Sequence, residues 1–507
     1  MCIRSLEGKK ERGRRRVKGW PRMARATKFS AIIPRALFTR SISTASSFAV
    51  KLLAADFPPP PTPQVSFDLA DTERLFASVP TSTLLRSFAI LSLMAAGPVV
   101  DLGTAALRAS MASGGRLLRP AALAAARATV HRQFCAGEGA EEASLTVQRM
   151  WSEVGLRSIL DYGIEDAEDS ASCQGNLAGF LRAVDLAATL PPTSASVCVK
   201  ITALAPISLL ERVSDLLRWE QKDPSFSLPW RAHSFPILCH SSPLFLTPRE
   251  PEPLSEDEEQ ELQSALRRLS MLCDRCVKAN IPLLIDAEYS SVQPAIDYFT
   301  YWATLESNKQ REQPIVFGTI QTYLRDAKER MMNAVEAAEE QGVSLGVKLV
   351  RGAYLTRETR LAESMAAPSP IHGSLHETHV CFDTCASFMM EKVSKGSGAV
   401  VLATHNVHSG QEAARKAEEL GIGKDDEKLQ FAQLMGMADG LSLGLKNAGF
   451  RVSKYRPFGP VEQVIPYLLR RAEENKGVLS TSSKDRQLLR KELSRRVTAA
   501  FVGRALN

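Results

Sequence analysis

The 507-residue chain lacks any apolar run approaching the roughly 18 residues that a membrane-spanning helix needs. Ala89–Val100 is the nearest candidate, and it is short and broken by Gly97 and Pro98. Nothing like G-x-G-x-x-G follows the first predicted strand, and no glycine loop is placed to cradle phosphates. Both absences argue against an open dinucleotide-binding sheet and against P-loop chemistry. No Ser-His-Asp or activated-cysteine arrangement stands out, which disfavours acyl transfer. Nine cysteines are scattered without a disulfide framework or a secretory signal, as in a reduced compartment. Cys273 and Cys276 form a C-x-x-C inside a helix-period stretch, with no second pair to complete a zinc site. Cys381 and Cys385, near His379, have the spacing of one helix face, so no metal site is expected.

Acid is what the first fifty residues lack. Through Lys51 there are fourteen Lys and Arg against only Glu7 and Glu11. The remaining chain therefore carries 49 basic against 54 acidic residues, and the overall charge of +7 hides a mildly acidic body. Such a body offers no electrostatic footprint for nucleic acid. The leader, residues 1–55, is rich in Arg and Ser and has the composition of a mitochondrial transit peptide, with Met23 a candidate start. Residues 56–67 form a proline-rich spacer. An apolar content of 44% and a charged content of 23% are those of an ordinary globular protein.

From Asp68 to about 195 helix formers dominate, predicting an α-helical arm in which Ser144–Asp161 has helical spacing. At Ser196 the pattern changes to short buried strands alternating with amphipathic helices. The strands are Val197–Leu204, Pro282–Tyr289, Pro314–Tyr323, Val343–Gly352, Val400–Asn406 and Leu429–Gly436. Seven prolines between Ser208 and Pro253 predict an irregular insertion over 208–253. Ser255 and Glu258 open the next helix with the pattern of a capping box. Residues 481–507 read as a C-terminal helix. Repeated strand–helix units over 196–480 imply a parallel sheet closed into a (β/α)8 TIM-like barrel.

Polar residues recur where these strands end: Lys200, Asp286, Gln321, Lys348, Arg351 and Thr404-His405-Asn406. A charge inside an apolar strand must be paired, and Lys200 and Asp286 on adjacent strands are natural partners. The stretch Tyr455–Asn475 reads as an extended segment, a turn and then an amphipathic helix. That helix ends with Arg470 beside Arg471, a pair suited to gripping a carboxylate in the company of Tyr455 and Tyr467. The pocket suits an amino acid or organic acid beside a planar cofactor. Composition leaves a flavin and a Schiff base on Lys200 both open.

Seven motifs then narrow the choice. VKITAL (199–204), LIDAEY (284–289), IQTYL (320–324), VKLVRGAY (347–354), ATHN (403–406), FAQLMGMADGLS (431–442) and YRPFGPVEQVIPYLLRRAEEN (455–475) resemble, in order and spacing, the motif series of the proline dehydrogenases. The resemblance runs from Ser144 to near Leu479, and the leader, spacer and insertion are similar to the mitochondrial, plant-like branch. It implies a distorted (β/α)8 barrel holding FAD without a covalent link and oxidising L-proline to Δ1-pyrroline-5-carboxylate. It also implies electron transfer to a membrane quinone, with peripheral contact at the matrix side of the inner mitochondrial membrane. Under this resemblance Arg470 and Arg471 hold the substrate carboxylate, and Lys200 and Asp286 lie near the ring nitrogen. Tyr354, Tyr455 and Tyr467 wall the pocket, with Leu434 on the apolar side. Gln321, Lys348, Val350, Arg351, Gly352, Thr404, His405, Asn406 and Glu474 are expected at the flavin and its tail. Lys348 stands where bacterial members usually carry Arg, which keeps the cation and loses a bidentate contact. The rivals are a hydroxyproline dehydrogenase, a folate-reducing flavin barrel, and an inactive membrane-associated paralogue with a regulatory role.

Overall fold

The computed structural model describes residues 67–111, 119–246, 249–476 and 482–505. The leader and nearly all of the spacer lie outside the described residues.

Eight parallel strands close into a barrel in chain order, β1 to β8. They are β1 (Arg157–Tyr162), β2 (Ala195–Val199), β3 (Leu283–Ile285), β4 (Val316–Gln321), β5 (Gly346–Val350), β6 (Ala399–Ala403), β7 (Leu429–Leu434) and β8 (Val452–Phe458). Closure comes from β1 pairing with β8, Ile159 opposite Tyr455 and Asp161 opposite Pro457. Most strands are apolar on both faces, because a parallel barrel buries one face in its lumen and the other under helices. Val197, Leu283, Ile285, Leu349, Leu402 and Phe431 face outward into the main core beneath the helices. Ile159, Cys198, Leu284, Phe317, Ala399, Val401 and Ala432 form a separate apolar plug. These plug residues alternate with the outward set, so they fill the lumen.

Two strands were not legible as such. β1 falls inside Ser144–Asp161, which the sequence analysis assigns to a helix. The helix of Ala140–Arg149 continues as one wide turn, Met150–Val154, and Gly155 then ends it with φ of +74°. That left-handed conformation suits glycine, and it turns the chain into β1. β8 is hidden because Lys454 and Arg456 stand between Val452 and Phe458 on its outward face. Lys454 is nevertheless buried, its Nζ 2.7 Å from Asp439 and donating to the carbonyls of Leu434 and Met437. The tertiary partner supplies what the local pattern lacks.

The insertion is also more regular than its proline content suggests. Its first part is the amphipathic helix Ile207–Lys222, and the irregular chain begins only at Asp223, next to the first of the seven prolines. By contrast, the Glu256–Ala279 helix opens on Ser255 with a complete capping box to Glu258, as read from the sequence.

Before the barrel, helices Thr81–Ala95 and Gly97–Met111 pack against Ile465–Asn475, the helix carrying Arg470 and Arg471. Thr81–Ala95 also packs along the C-terminal helix Ser483–Ala505. The segment around Gln133–Gly137 lies over the end of β8, with Ala136 N–H donating to the Pro457 carbonyl. Gln133 reaches the Gly436 carbonyl at 3.2 Å. Gly436 has φ of +73°, and a Cβ there would strike the Gln133 carbonyl, so the close approach requires glycine.

Candidate active site

Two residues beyond the apolar plug, on the same inward face, the strands carry charge. Asp161 follows Ile159, Lys200 follows Cys198, Asp286 follows Leu284, Lys348 follows Gly346 and Tyr455 follows Ser453. The period of two therefore delivers five polar groups to one end of the lumen, where the loops begin. Lys200 Nζ lies 3.0 Å from Asp286 Oδ2 and 3.3 Å from Asp161 Oδ2. Lys348 forms a second ion pair with Asp286 through its other oxygen. Tyr455 donates its hydroxyl to Asp286 at 2.8 Å, and Cys198 Sγ donates to the same carboxylate at 3.0 Å.

Burial disfavours charge on both carboxylates, but their neighbours differ. At Asp286 the two lysines override burial and hold the carboxyl far below its usual range. At Asp161 burial wins over the single cation Lys200, and the carboxyl titrates higher than usual. Asp161 and Asp286 together hold Lys200 protonated despite its burial. The cluster thus sets two lysines against the strongly acidic Asp286 and the less acidic Asp161.

The arginine helix faces this cluster. Pro460 follows β8 and ends the extended segment, and Pro466 sits in the first turn of Ile465–Asn475, where its missing N–H costs nothing. Arg470 makes a two-pronged pair with Glu165 at 2.9 and 3.0 Å, and its guanidinium lies 5.3 Å from the Tyr354 ring centre. Arg471 is buried, stacks 4.8 Å from the Tyr467 ring centre and bonds Glu474 at 2.5 Å. Among the described residues its Nε has no hydrogen-bond partner, and neither has the buried Tyr467 hydroxyl. Leu434, half-buried, ends β7 beside Tyr455, whose carbonyl accepts the N–H of Met435.

A second network surrounds the ends of β5 and β6. Arg351 donates to Thr404 Oγ1 at 2.5 Å, Ser409 Oγ at 2.8 Å and His379 Nδ1 at 2.9 Å. Asn406 caps the Val407–Glu419 helix by accepting the Ser409 N–H and meets the other His379 nitrogen at 3.2 Å. His405 accepts the Leu434 N–H at 3.1 Å, and burial with Lys454, Arg471 and Arg351 nearby pushes its pKa down to about 3. It is a neutral imidazole at any physiological pH. Gln321 is buried and donates to the Glu288 carbonyl at 2.6 Å. Val350 ends β5, and Gly352 lies just beyond with φ of +133°.

Of the seventeen residues singled out from the sequence, Lys348 and Tyr455 lie within β5 and β8, and the others lie at the C-terminal ends of the strands or on the loops and helix beyond them. The sequence reading omitted Asp161, Glu165, His379 and Ser409. Asp161 was hidden by the unread strand, and Glu165 by an acidic patch that gives no sign of a partner three hundred residues away. Glu288, the acid within LIDAEY, is buried, with both oxygens bonded to the Thr202 hydroxyl at 3.0 and 2.9 Å. Burial first, and Glu165 second, push its carboxyl up to about 8.

That shift has a testable consequence. Between an ordinary value of 4.5 and about 8, folded Glu288 keeps a proton that the unfolded chain has lost. Stability therefore falls as pH rises through this window, by up to about 1.4 kcal/mol per pH unit. Glu288→Gln should flatten that slope and make the variant more stable than the parent near pH 8. Identical pH slopes in denaturant titrations would show that Glu288 does not bind this proton.

Comparison with known proteins agrees with this geometry. The proline dehydrogenase family profile matches residues 143–484. The chain is 52% identical to "Proline dehydrogenase 2, mitochondrial" of Arabidopsis thaliana, covering 87% of this chain and 92% of that protein. It is 34% identical to "Hydroxyproline dehydrogenase" of Rattus norvegicus, covering 82% of this chain and 92% of the relative. Among solved structures, proline utilization A (PutA) from Bdellovibrio bacteriovorus superposes with a TM-score of 0.54 at 21% identity. That match covers 78% of this chain but 37% of the longer protein, and it speaks for the fold alone. With its closed barrel, its motif series and this profile match, the chain belongs to the proline dehydrogenase family.

Proposed function

We propose that this protein oxidises L-proline to Δ1-pyrroline-5-carboxylate in mitochondria, using FAD and passing the electrons to a membrane quinone. The observation that carries this reading is the arginine pair on one helix facing a buried Lys–Asp–Lys–Tyr cluster across the mouth of the barrel. Relatives at 51 and 52% identity named as mitochondrial proline dehydrogenases support the substrate and the location. The basic leader then serves as the import address.

The donor set fits a flavin. Lys200 and Lys348 offer a cationic edge, His405 a neutral imidazole, and Arg351 with Thr404, Asn406 and His379 a preorganised polar wall. Gln321, Lys348, Val350, Arg351, Gly352, Thr404, His405, Asn406 and Glu474 are the residues that would hold it. FAD, when bound, supplies the two-electron acceptor. The chain's own residues do the rest. Arg471 uses its unpartnered Nε, and Arg470 part of its fork, to fix the carboxylate of proline. Tyr354, Tyr455, Tyr467 and Leu434 confine the five-membered ring and exclude water, a positioning effect worth several kcal/mol. Lys200 and Asp286 set the field beside the ring nitrogen.

The test is an absorbance spectrum of the purified protein before and after anaerobic L-proline. A yellow protein that bleaches with proline and recolours with a quinone is the expected result. Bleaching by trans-4-hydroxy-L-proline alone would overturn the substrate. A colourless, folded protein would overturn the cofactor and favour an inactive paralogue.

A further inference from the structure

Among the described residues, no single helix is long and apolar enough to cross a membrane. Thr81–Ala95 and Gly97–Met111 together have the composition of a span, but they meet at 88°. A pair bent this sharply is not one straight span in this structure. It presents apolar residues to solvent instead. On the first helix Leu85, Ala89 and Leu93 make an i, i+4, i+8 stripe, with Leu85 59% exposed. On the second, Val99, Leu102 and Ala106 make an i, i+3, i+7 stripe, with Leu102 74% exposed. Solvent-facing leucines at helical spacing are a face awaiting a partner.

Charge identifies the partner. The only acid on the two helices, Asp101, is neutralised by Lys476 at 2.6 Å. Alongside runs the Ser483–Ala505 helix, antiparallel to Thr81–Ala95. Its Arg496 reaches the Val79 carbonyl and Thr81 at one end, and its Arg486 the Leu91 carbonyl at the other. Both acids of that helix, Asp485 and Glu492, are buried. Lys484, Arg490 and Lys491 are exposed, as are Val497 and Phe501. Among the described residues these three cations have no acidic partner, although Lys491 donates to the Ala70 carbonyl at 2.6 Å, and an apolar stripe beside such a rim would repel a second copy of itself. It fits an anionic lipid surface.

We infer that the Thr81–Met111 helix pair, with the basic face of Ser483–Ala505, is the surface by which this protein lies on an anionic bilayer. The inference deepens the quinone reading above and rests on it for its purpose. The surface is fastened directly behind the substrate helix, through Lys476–Asp101 and through Arg108–Glu473 at 3.3 Å. Docking there would bring the active-site end of the barrel next to a lipid-dissolved acceptor. None of the docking residues touches the candidate active site.

The experiment is flotation of the full chain with phosphatidylcholine vesicles, alone and mixed with phosphatidylglycerol. The parent is compared with Leu85→Gln/Leu93→Gln/Leu102→Gln and with the single change Leu102→Asp. The basic leader is present in all three, so its own attraction cancels. The parent should bind the mixed vesicles more tightly than the neutral ones. The triple variant should lose at least about tenfold in partitioning, and Leu102→Asp about threefold. Proline-dependent reduction of a water-soluble quinone should be unchanged in both, while reduction of a vesicle-dissolved quinone falls with partitioning. The inference is overturned if the parent does not float, if both variants float as it does, or if light scattering finds a parent dimer that the triple variant dissociates. Failure of the parent to turn over proline would overturn the function reading instead, and flotation would still judge the surface.

Discussion

Under the proposed reaction, Arg471→Met is expected to raise the KM for proline by about 10²- to 10³-fold without loss of flavin binding. The estimate follows from the ~3–4 kcal/mol that a buried, charge-assisted contact to a carboxylate contributes. Arg471 is the arginine of the pair with spare donor capacity, since its Nε is buried without a partner and its bond to Glu474 uses one terminal nitrogen. Arg470→Met should differ in kind. It removes the two-pronged partner of Glu165, a largely buried carboxylate that Arg470 holds below its usual pKa against the cost of burial. That variant should therefore lose stability as well as substrate affinity, whereas Arg471→Met loses mainly affinity. Steady-state kinetics with melting curves separate the two. An unchanged KM in Arg471→Met would remove Arg471 from the substrate site.

Asp286→Asn is expected to be the most damaging single change in the barrel mouth. Asp286 neutralises Lys200 and Lys348 together and also accepts from Tyr455 and Cys198. Its loss leaves two buried ammonium groups with Asp161, whose carboxyl burial makes less acidic than usual. Breaking such a buried pair costs about 3–5 kcal/mol, enough to lower the melting temperature by roughly 5 °C or more. Under the proposed cofactor assignment the variant should also bind flavin more weakly, because the two lysines no longer hold their positions. Adding Lys348→Met should restore part of the lost stability, since one of the stranded charges is then gone. If Asp286→Asn melts with the parent, the cluster is not what holds this end of the barrel together.

The same residues show how far the sequence could be read. Lys200 and Asp286 were legible as partners because a charge embedded in VKITAL or LIDAEY has no other way to be buried. Their real environment was not, since it includes Asp161 from a strand that local patterning assigns to a helix. Glu165 and Arg470 illustrate the same limit. Each sits in a charged, helix-friendly stretch, and only closure of β1 against β8 brings the two ends of the chain together.

What the sequence determined by itself was therefore periodic and local: most of the strands, the capped helices, the arginine pair and the order of the motifs. Burial on both faces writes a parallel strand directly into a run of β-branched and aliphatic residues. The tertiary structure decided the rest. It converted the polar β8 into a buried strand by giving Lys454 the carboxylate of Asp439, and it turned Ser144–Asp161 from helix to strand after Gly155. It also placed Arg470 on Glu165 and left the Arg471 Nε free. Those outcomes depend on which charges meet across hundreds of residues, and the energy of a buried ion pair resides in its geometry, which local sequence does not encode.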